Sequence, residues 1–284
     1  MEIVVGLGTA GCNVTRKFEK YAQYGTYKID VEEQEGERCF LLPSFEIPED
    51  YENNPPDLSV FFEEVKDTSV LFVVCGASSV ASVSLIALEQ LKKNNCKISI
   101  LCIVPEVELL GEIKTKQERV VRNVLQEYTR SGVFDKLYLA SNVHMEPLVE
   151  NLTIMNYHET INDFLVSTIH MVNVFNNTQS VSDTFSPPGN TARIYTFGFV
   201  GFESGEEKFF FSLDNPREKR YYYAISQHKL ETEKHLFRQI VNQVKSKLTE
   251  STKVSYGIYS TDYEHDYVYV MANSSNIQKL EKNT

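Results

Sequence analysis

A short β-branched run that passes directly into a glycine loop constrains this chain more than any other feature. Glu2-Ile3-Val4-Val5 has the length of a strand, and Gly6, Gly8 and Gly11 follow at the spacing G-x-G-x-x-G, ahead of a helical pattern. Glycines there let the backbone turn sharply and approach an anion, and the next helix offers unpaired N–H groups at its positive dipole end. The arrangement predicts a phosphate cradle. Residues 13–24 carry Val14, Phe18 and Tyr21 at helical spacing before Gly25, and residues 27–31 read as a second strand. Asp30 then falls about twenty residues beyond the loop, where a dinucleotide-binding fold places a ribose-binding acid.

The same unit recurs. Residues 69–75, Ser-Val-Leu-Phe-Val-Val-Cys, make a continuous apolar run typical of a strand buried on both faces. Gly76, Ala77, Ser78 and Ser79 follow, with Ser78 or Ser79 placed to cap a helix over 80–93. Residues 32–56 read as acidic and irregular with a short strand at 39–42, 58–65 as a short helix, 97–104 and 136–140 as strands, and 115–131 as an amphipathic helix. Strands alternating with such helices predict an α/β fold, a mostly parallel sheet with helices on both faces, with ligands at the carboxyl ends of the strands. The two loops and Asn142 fall at such ends, so they are expected around one crevice.

Residues 158–177 read as one long helix, and Ser186-Pro187-Pro188-Gly189-Asn190 as a linker. Beyond it, alternating segments rich in Tyr and Phe (193–202, 208–213, 220–225, 253–259 and 267–272) and a helix at 230–248 predict a smaller α+β domain. The expected organisation is a nucleotide-binding domain over 1–157, a central helix and following loop over 158–183, and a C-terminal domain over 184–284. A net charge of −11 without a Lys/Arg block argues against nucleic acid or an anionic membrane as partner. Neither a membrane-length apolar run nor a signal-peptide pattern is evident, so the expected compartment is the cytoplasm. The five cysteines form no C-x-x-C pair and the six histidines no H-x-x-x-H spacing, so no metal centre is expected.

Taken together, these pieces resemble the tubulin/FtsZ superfamily, and within it the short phage- or plasmid-type filament proteins, over roughly residues 1–272. Gly8-Thr9-Ala10-Gly11-Cys12-Asn13 resembles the family's first phosphate loop, whose closing asparagine contacts the guanine. Ile103-Val104-Pro105, a long helix, the segment 135–142 and Ile161-Asn162-Asp163-Phe164-Leu165 are similar to the family's order between its fourth strand and its central helix. Asn162 stands where that family stacks an asparagine near the purine. The second loop departs from the family's G-G-G-T-G-[ST]-G: here Gly76-Ala77-Ser78-Ser79-Val80-Ala81-Ser82 offers the Ser79 hydroxyl and puts the β-branched Val80 at the bend. The family's catalytic loop brings two acids to the next subunit's nucleotide, whereas residues 176–183 offer Asp183 alone.

The resemblance implies binding of GTP or GDP, with Mg²⁺ accompanying the triphosphate, and head-to-tail assembly into a homopolymer, with a filament-anchoring protein as a further partner. It implies phosphate contacts from Gly8, Thr9, Ala10, Gly11, Gly76, Ser78 and Ser79, base contacts from Asn13 and Asn162, and Cys12, Ala77 and Asn142 within the same site. Asp183 is the implied catalytic residue, and the altered second loop and single acid imply weak hydrolysis. Two alternatives stand beside it. One is a structural or regulatory relative that does not hydrolyse nucleotide. The other is an NAD-dependent Rossmann oxidoreductase, motivated by Gly6, Gly8, Gly11 and Asp30 and opposed by the lack of a downstream His, Lys or Tyr constellation for hydride chemistry.

Overall fold

The computed structural model describes residues 2–45, 47–187 and 189–280, so Pro188 of the predicted linker lies outside the described residues. In the first part of the chain, β1 (Glu2–Leu7), α1 (Gly8–Phe18), β2 (Tyr24–Asp30), β3 (Cys39–Leu41), α2 (Asp50–Asn53) and β4 (Ser69–Cys75) precede α3 (Ser84–Lys93) and β5 (Lys97–Val104). They are followed by α4 (Glu112–Arg130), β6 (Lys136–Ser141), α5 (Asn142–Met145) and α6 (Tyr157–Asn176). The chain divides into two compact units, one ending at Val166 and the other beginning at Ser167, so the boundary falls inside α6.

The strands of the first unit are all parallel, in the order β3-β2-β1-β4-β5-β6. Val70 through Val74 of β4 are buried without interruption, as a strand covered on both faces requires. The second unit contains β7 (Ser182–Asp183), β8 (Ile194–Val200), β9 (Glu207–Phe209), β10 (Glu218–Ser226), α7 (Gln227–Thr232), α8 (Leu236–Ser246), β11 (Lys253–Thr261) and β12 (Tyr267–Ser274). Its strands run β8-β12-β10-β11-β7 with β9 beside β8, and β10 with β11 is its parallel pair.

Strand periodicity sorts the tyrosines of β10 onto two faces. Tyr221 and Tyr223 pack with Ile225, Leu236, Ile240 and Val270, while Tyr222 stacks on Phe175 with centroids 6.2 Å apart. Each hydroxyl keeps a polar partner, as buried tyrosines require: Tyr221 donates to Glu207, Tyr222 to Asn176 Oδ1 at 3.0 Å and Tyr223 to Gln243 Oε1 at 2.6 Å.

Several segments differ from the sequence reading for local reasons. Residues 58–65 form successive turns, because Asn94 Nδ2 takes the Phe62 and Val65 carbonyls at 2.8 and 3.0 Å. The helix predicted over 230–248 is two, α7 and α8, since residues 231–235 are exposed throughout and have no burial to hold a continuous helix. A turn of 3₁₀ helix at Ala81–Val83 delays the start of α3 to Ser84, and the stretch read as irregular contains α2. No helix among the described residues is long and apolar enough to cross a membrane.

A charged clamp joins α1 to the first turns of α6. Lys17 Nζ lies 3.0 Å from Glu159 Oε1 and 2.9 Å from Asp163 Oδ2, and Lys20 Nζ lies 3.1 Å from Asp163 Oδ1. Burial works to raise the Asp163 pKa, but hydrogen bonds from Lys17 and Lys20 outweigh it and the net shift is downward. A carboxylate with a depressed folded pKa stabilises fully above its unfolded value, about 4, and loses that contribution as pH falls through the folded one. Part-exposed ion pairs of this kind contribute about 0.5–1 kcal/mol. Asp163→Asn is therefore expected to lower Tm by a few degrees at about pH 7, and the deficit is expected to shrink as pH approaches about 3. Circular-dichroism melts across that range check this; a deficit independent of pH would remove the carboxylate from the clamp.

Candidate functional site

The parallel sheet turns in two directions from its centre: β1 leads outward to β2 and β3, and β4 to β5 and β6. The neighbouring carboxyl ends of β1 and β4 therefore form the topological switch point, the place where open α/β sheets bind ligands. Register aligns Leu7 with Val74, Cys75 with Ile103 and Val104 with Ser141, which sets the loops after β1, β4, β5 and β6 along one edge. Asn142 begins α5 directly after β6 on that edge.

At the switch point the two small-residue loops touch. Gly8 has φ +71°, and a Cβ built there would lie 2.4 Å from Ser78 Oγ and 3.0 Å from Val80 Cγ2, so both conformation and space demand glycine. Behind it, a Cβ on Gly6 would meet the Gly11 carbonyl oxygen at 2.6 Å, and one on Gly11 would meet that of Val73 at 2.6 Å. Helix α1 thus rests on the sheet in backbone contact. Leu7 at its N-cap gives no side-chain cap and its first turn contains no acid, so its opening amides and dipole are left for another acceptor. Thr9 is exposed and Ala10 half-buried.

Cys12 points inward. Its thiol donates to the carbonyls of Gly6 at 3.6 Å and Ile29 at 3.5 Å, and burial, with the nearby Asp30 charge, pushes its pKa up to about 12. Asp30 is itself 1% exposed. It accepts from Val31 N at 2.8 Å and Gln34 Nε2 at 3.1 Å and is hydrogen-bonded with Thr9, while burial raises its pKa. The acid that sequence spacing offered to a ribose is committed to bracing the first loop.

The second loop is a chain of tight turns, with Ser78 N donating to Cys75 O, Ala81 N to Ser78 O and Val83 N to Val80 O, each at 3.0 Å. Ala77 and Val80 are buried, Ser78 is half-buried and Ser79 is exposed. Two residues of α4, missed by sequence reasoning, fix this loop from behind. Gln117 Nε2 donates to Ser78 O at 2.7 Å, and a Cβ on Gly76 would meet the Glu118 carbonyl oxygen at 3.1 Å. Glu118 and Arg122, both buried, pair at 2.6 Å. An acid and a base four apart look like a solvated helix pair in sequence, so nothing there marked them as interior.

Asn13 and Lys17 share a face of α1, and Glu159, Asn162 and Asp163 share a face of α6. Lys17 binds Glu159 and Asp163, so α1 and the first turns of α6 meet at these ion pairs. Asp183 belongs to the second unit. It is exposed on β7 opposite Gly257, with its carboxylate accepting from Ser180 Oγ and, at 3.2 Å, from Phe185 N. Neither small-residue loop contains Lys or Arg, so recognition of an anion there rests on backbone N–H groups, hydroxyls and the α1 dipole.

No protein-family model matches the chain, and no curated protein sequence does. Solved structures do match over nearly its whole length. An empty FtsZ dimer from M. jannaschii is 13% identical, covers 96% of this chain and 88% of its own, and gives a TM-score of 0.68. A GTPγS-form protofilament of TubZ from Bacillus thuringiensis serovar israelensis is 14% identical, covers 96% and 86%, and gives 0.70. CetZ2 from Haloferax volcanii, a GTPγS-bound protofilament, is 11% identical, covers 95% and 92%, and gives 0.66. The fold of this chain is the tubulin/FtsZ fold.

Proposed function

We propose that this chain binds a guanine nucleotide at the β1/β4 switch point and assembles head to tail into filaments. The reading rests above all on the meeting of Gly8 and Ser78 beside the uncapped start of α1, and it is supported by similar folds solved as GTPγS-bound and GDP-form protofilaments. Amides of Gly8 through Gly11 and the hydroxyls of Ser78 and Ser79 hold phosphates, and Asn13, Asn142 and Asn162 line the base side. The same residues would hold a triphosphate, and the Mg²⁺ that would accompany it would neutralise phosphate charge. Asp183 reaches the nucleotide of the neighbouring subunit and orients the attacking water. Hydrolysis is slow, because one carboxylate does the work of two and Val80 packs against Gly8 where a freer loop would bend.

Light scattering with GTP, GDP or no nucleotide, run beside a phosphate-release assay, tests this directly. Scattering is expected to rise with GTP while phosphate appears slowly; a calorimetric titration showing NAD binding and no guanine-nucleotide binding would overturn the reading. Asp183→Ala is expected to retain assembly and lower phosphate release per subunit by about 100-fold, the scale of a lost water-positioning group. Unchanged turnover would remove Asp183 from the reaction. Gln117→Glu replaces the donor to Ser78 O with an acceptor and is expected to weaken nucleotide binding about tenfold, equivalent to about 1.4 kcal/mol. Gln117→Lys keeps a donor and is expected to stay near wild type in the same fluorescent-nucleotide titration; equal losses in both would show that the hydrogen bond is not what matters.

A further inference from the structure

Helix α4 buries polar side chains while leaving two of its aliphatic ones in solvent. Its buried residues are Glu118, Arg122, Leu125, Gln126 and Thr129, while Ile113 and Val120 are 80% and 58% exposed. A helix packed on a sheet normally turns its apolar stripe inward. Here polar groups hold the inner side, through the Glu118–Arg122 pair and the Thr129 hydroxyl donating to Leu125 O at 2.8 Å.

The outward apolar residues do not scatter. Ile113 and Val120 line one groove of about 700 Å³, whose other walls bring Ile47, 55% exposed, and Leu85, 42% exposed. Exposed apolar side chains gathered in one concavity mark an interaction site. The α4 wall runs from Ile113 to Leu125, about 18 Å at the α-helical rise, which matches three turns of a partner helix.

Charge narrows the occupant. Glu49 and Glu52, three residues apart in the groove's lining, are exposed and form no ion pair among the described residues. The wall's lysine, Lys116, is already neutralised by Glu112 at 2.5 Å. We propose that this groove docks an amphipathic helix of another protein, with apolar residues at i, i+3 or i+4 and i+7 entering between α3 and α4 and with Lys or Arg meeting Glu49 and Glu52.

The test uses the full chain and a fluorescein-labelled helical peptide of about four turns, with leucines on one face and lysines flanking them, beside a glutamate-flanked twin and a scrambled peptide of the same composition. Fluorescence anisotropy is expected to show saturable binding of the lysine peptide in the range of about 1–50 µM, at least tenfold weaker binding of the scrambled one, and at least a tenfold loss with Val120→Asp. Ile113→Asp serves as an independent second variant; both positions are exposed, and circular dichroism verifies the fold. Glu49→Lys with Glu52→Lys is expected to reverse the preference toward the glutamate peptide. The proposal is overturned if the lysine and scrambled peptides bind alike, or if Val120→Asp and Ile113→Asp leave binding intact. It is equally overturned if charge reversal fails to switch the preference, or if the groove is filled by a second copy, seen as a concentration-dependent dimer in sedimentation that Val120→Asp abolishes.

Discussion

The first unit depends on a contact between two pieces of backbone. At Gly11, α1 lies so near β4 that a single added carbon would sit 2.6 Å from the Val73 carbonyl oxygen, a clash that core packing does not absorb without shifting an element. This contact fixes the depth at which α1 rides on the sheet. Depth in turn sets where its first turn ends, and that turn brings Gly8 against Ser78 at the junction of β1 and β4. From the same helix Lys17 reaches Glu159 and Asp163, so a spacing set by two hydrogens on Gly11 propagates to the start of α6.

Much of this was written plainly in the chain. The β-branched run before the first glycine loop, the doubly buried Ser69–Cys75 strand and the parallel alternation all follow from periodicity, because a strand covered on both faces has no polar side to show. What escaped was decided by single side chains acting across long sequence separations. Asn94 takes two carbonyls that would have continued a helix at 58–65. Asp30 sits at the spacing of a ribose ligand, yet its oxygens are taken by Val31, Gln34 and Thr9. Sequence places an acid; only the fold decides which donors reach it first.

Helix α4 shows the same limit from the other side. Its residues alternate as an amphipathic helix should, but the pattern does not say which stripe faces the sheet. The second loop packs on its polar side, where the Glu118 main chain comes close to Gly76 and the Gln117 amide donates to Ser78 O. Burying Glu118 with Arg122 is costly unless the pair is well formed, and at 2.6 Å it is. On the outer side, Ile113 and Val120 are exposed and line one groove.

The buried thiol of Cys12 has a chemical consequence for the first loop. With its pKa raised to about 12 by burial, the thiol stays protonated at neutral pH. Peroxide, disulfide exchange and alkylating agents act through the thiolate. Cys12 is thereby a poor nucleophile, its thiol held inside α1 against the carbonyls of Gly6 and Ile29.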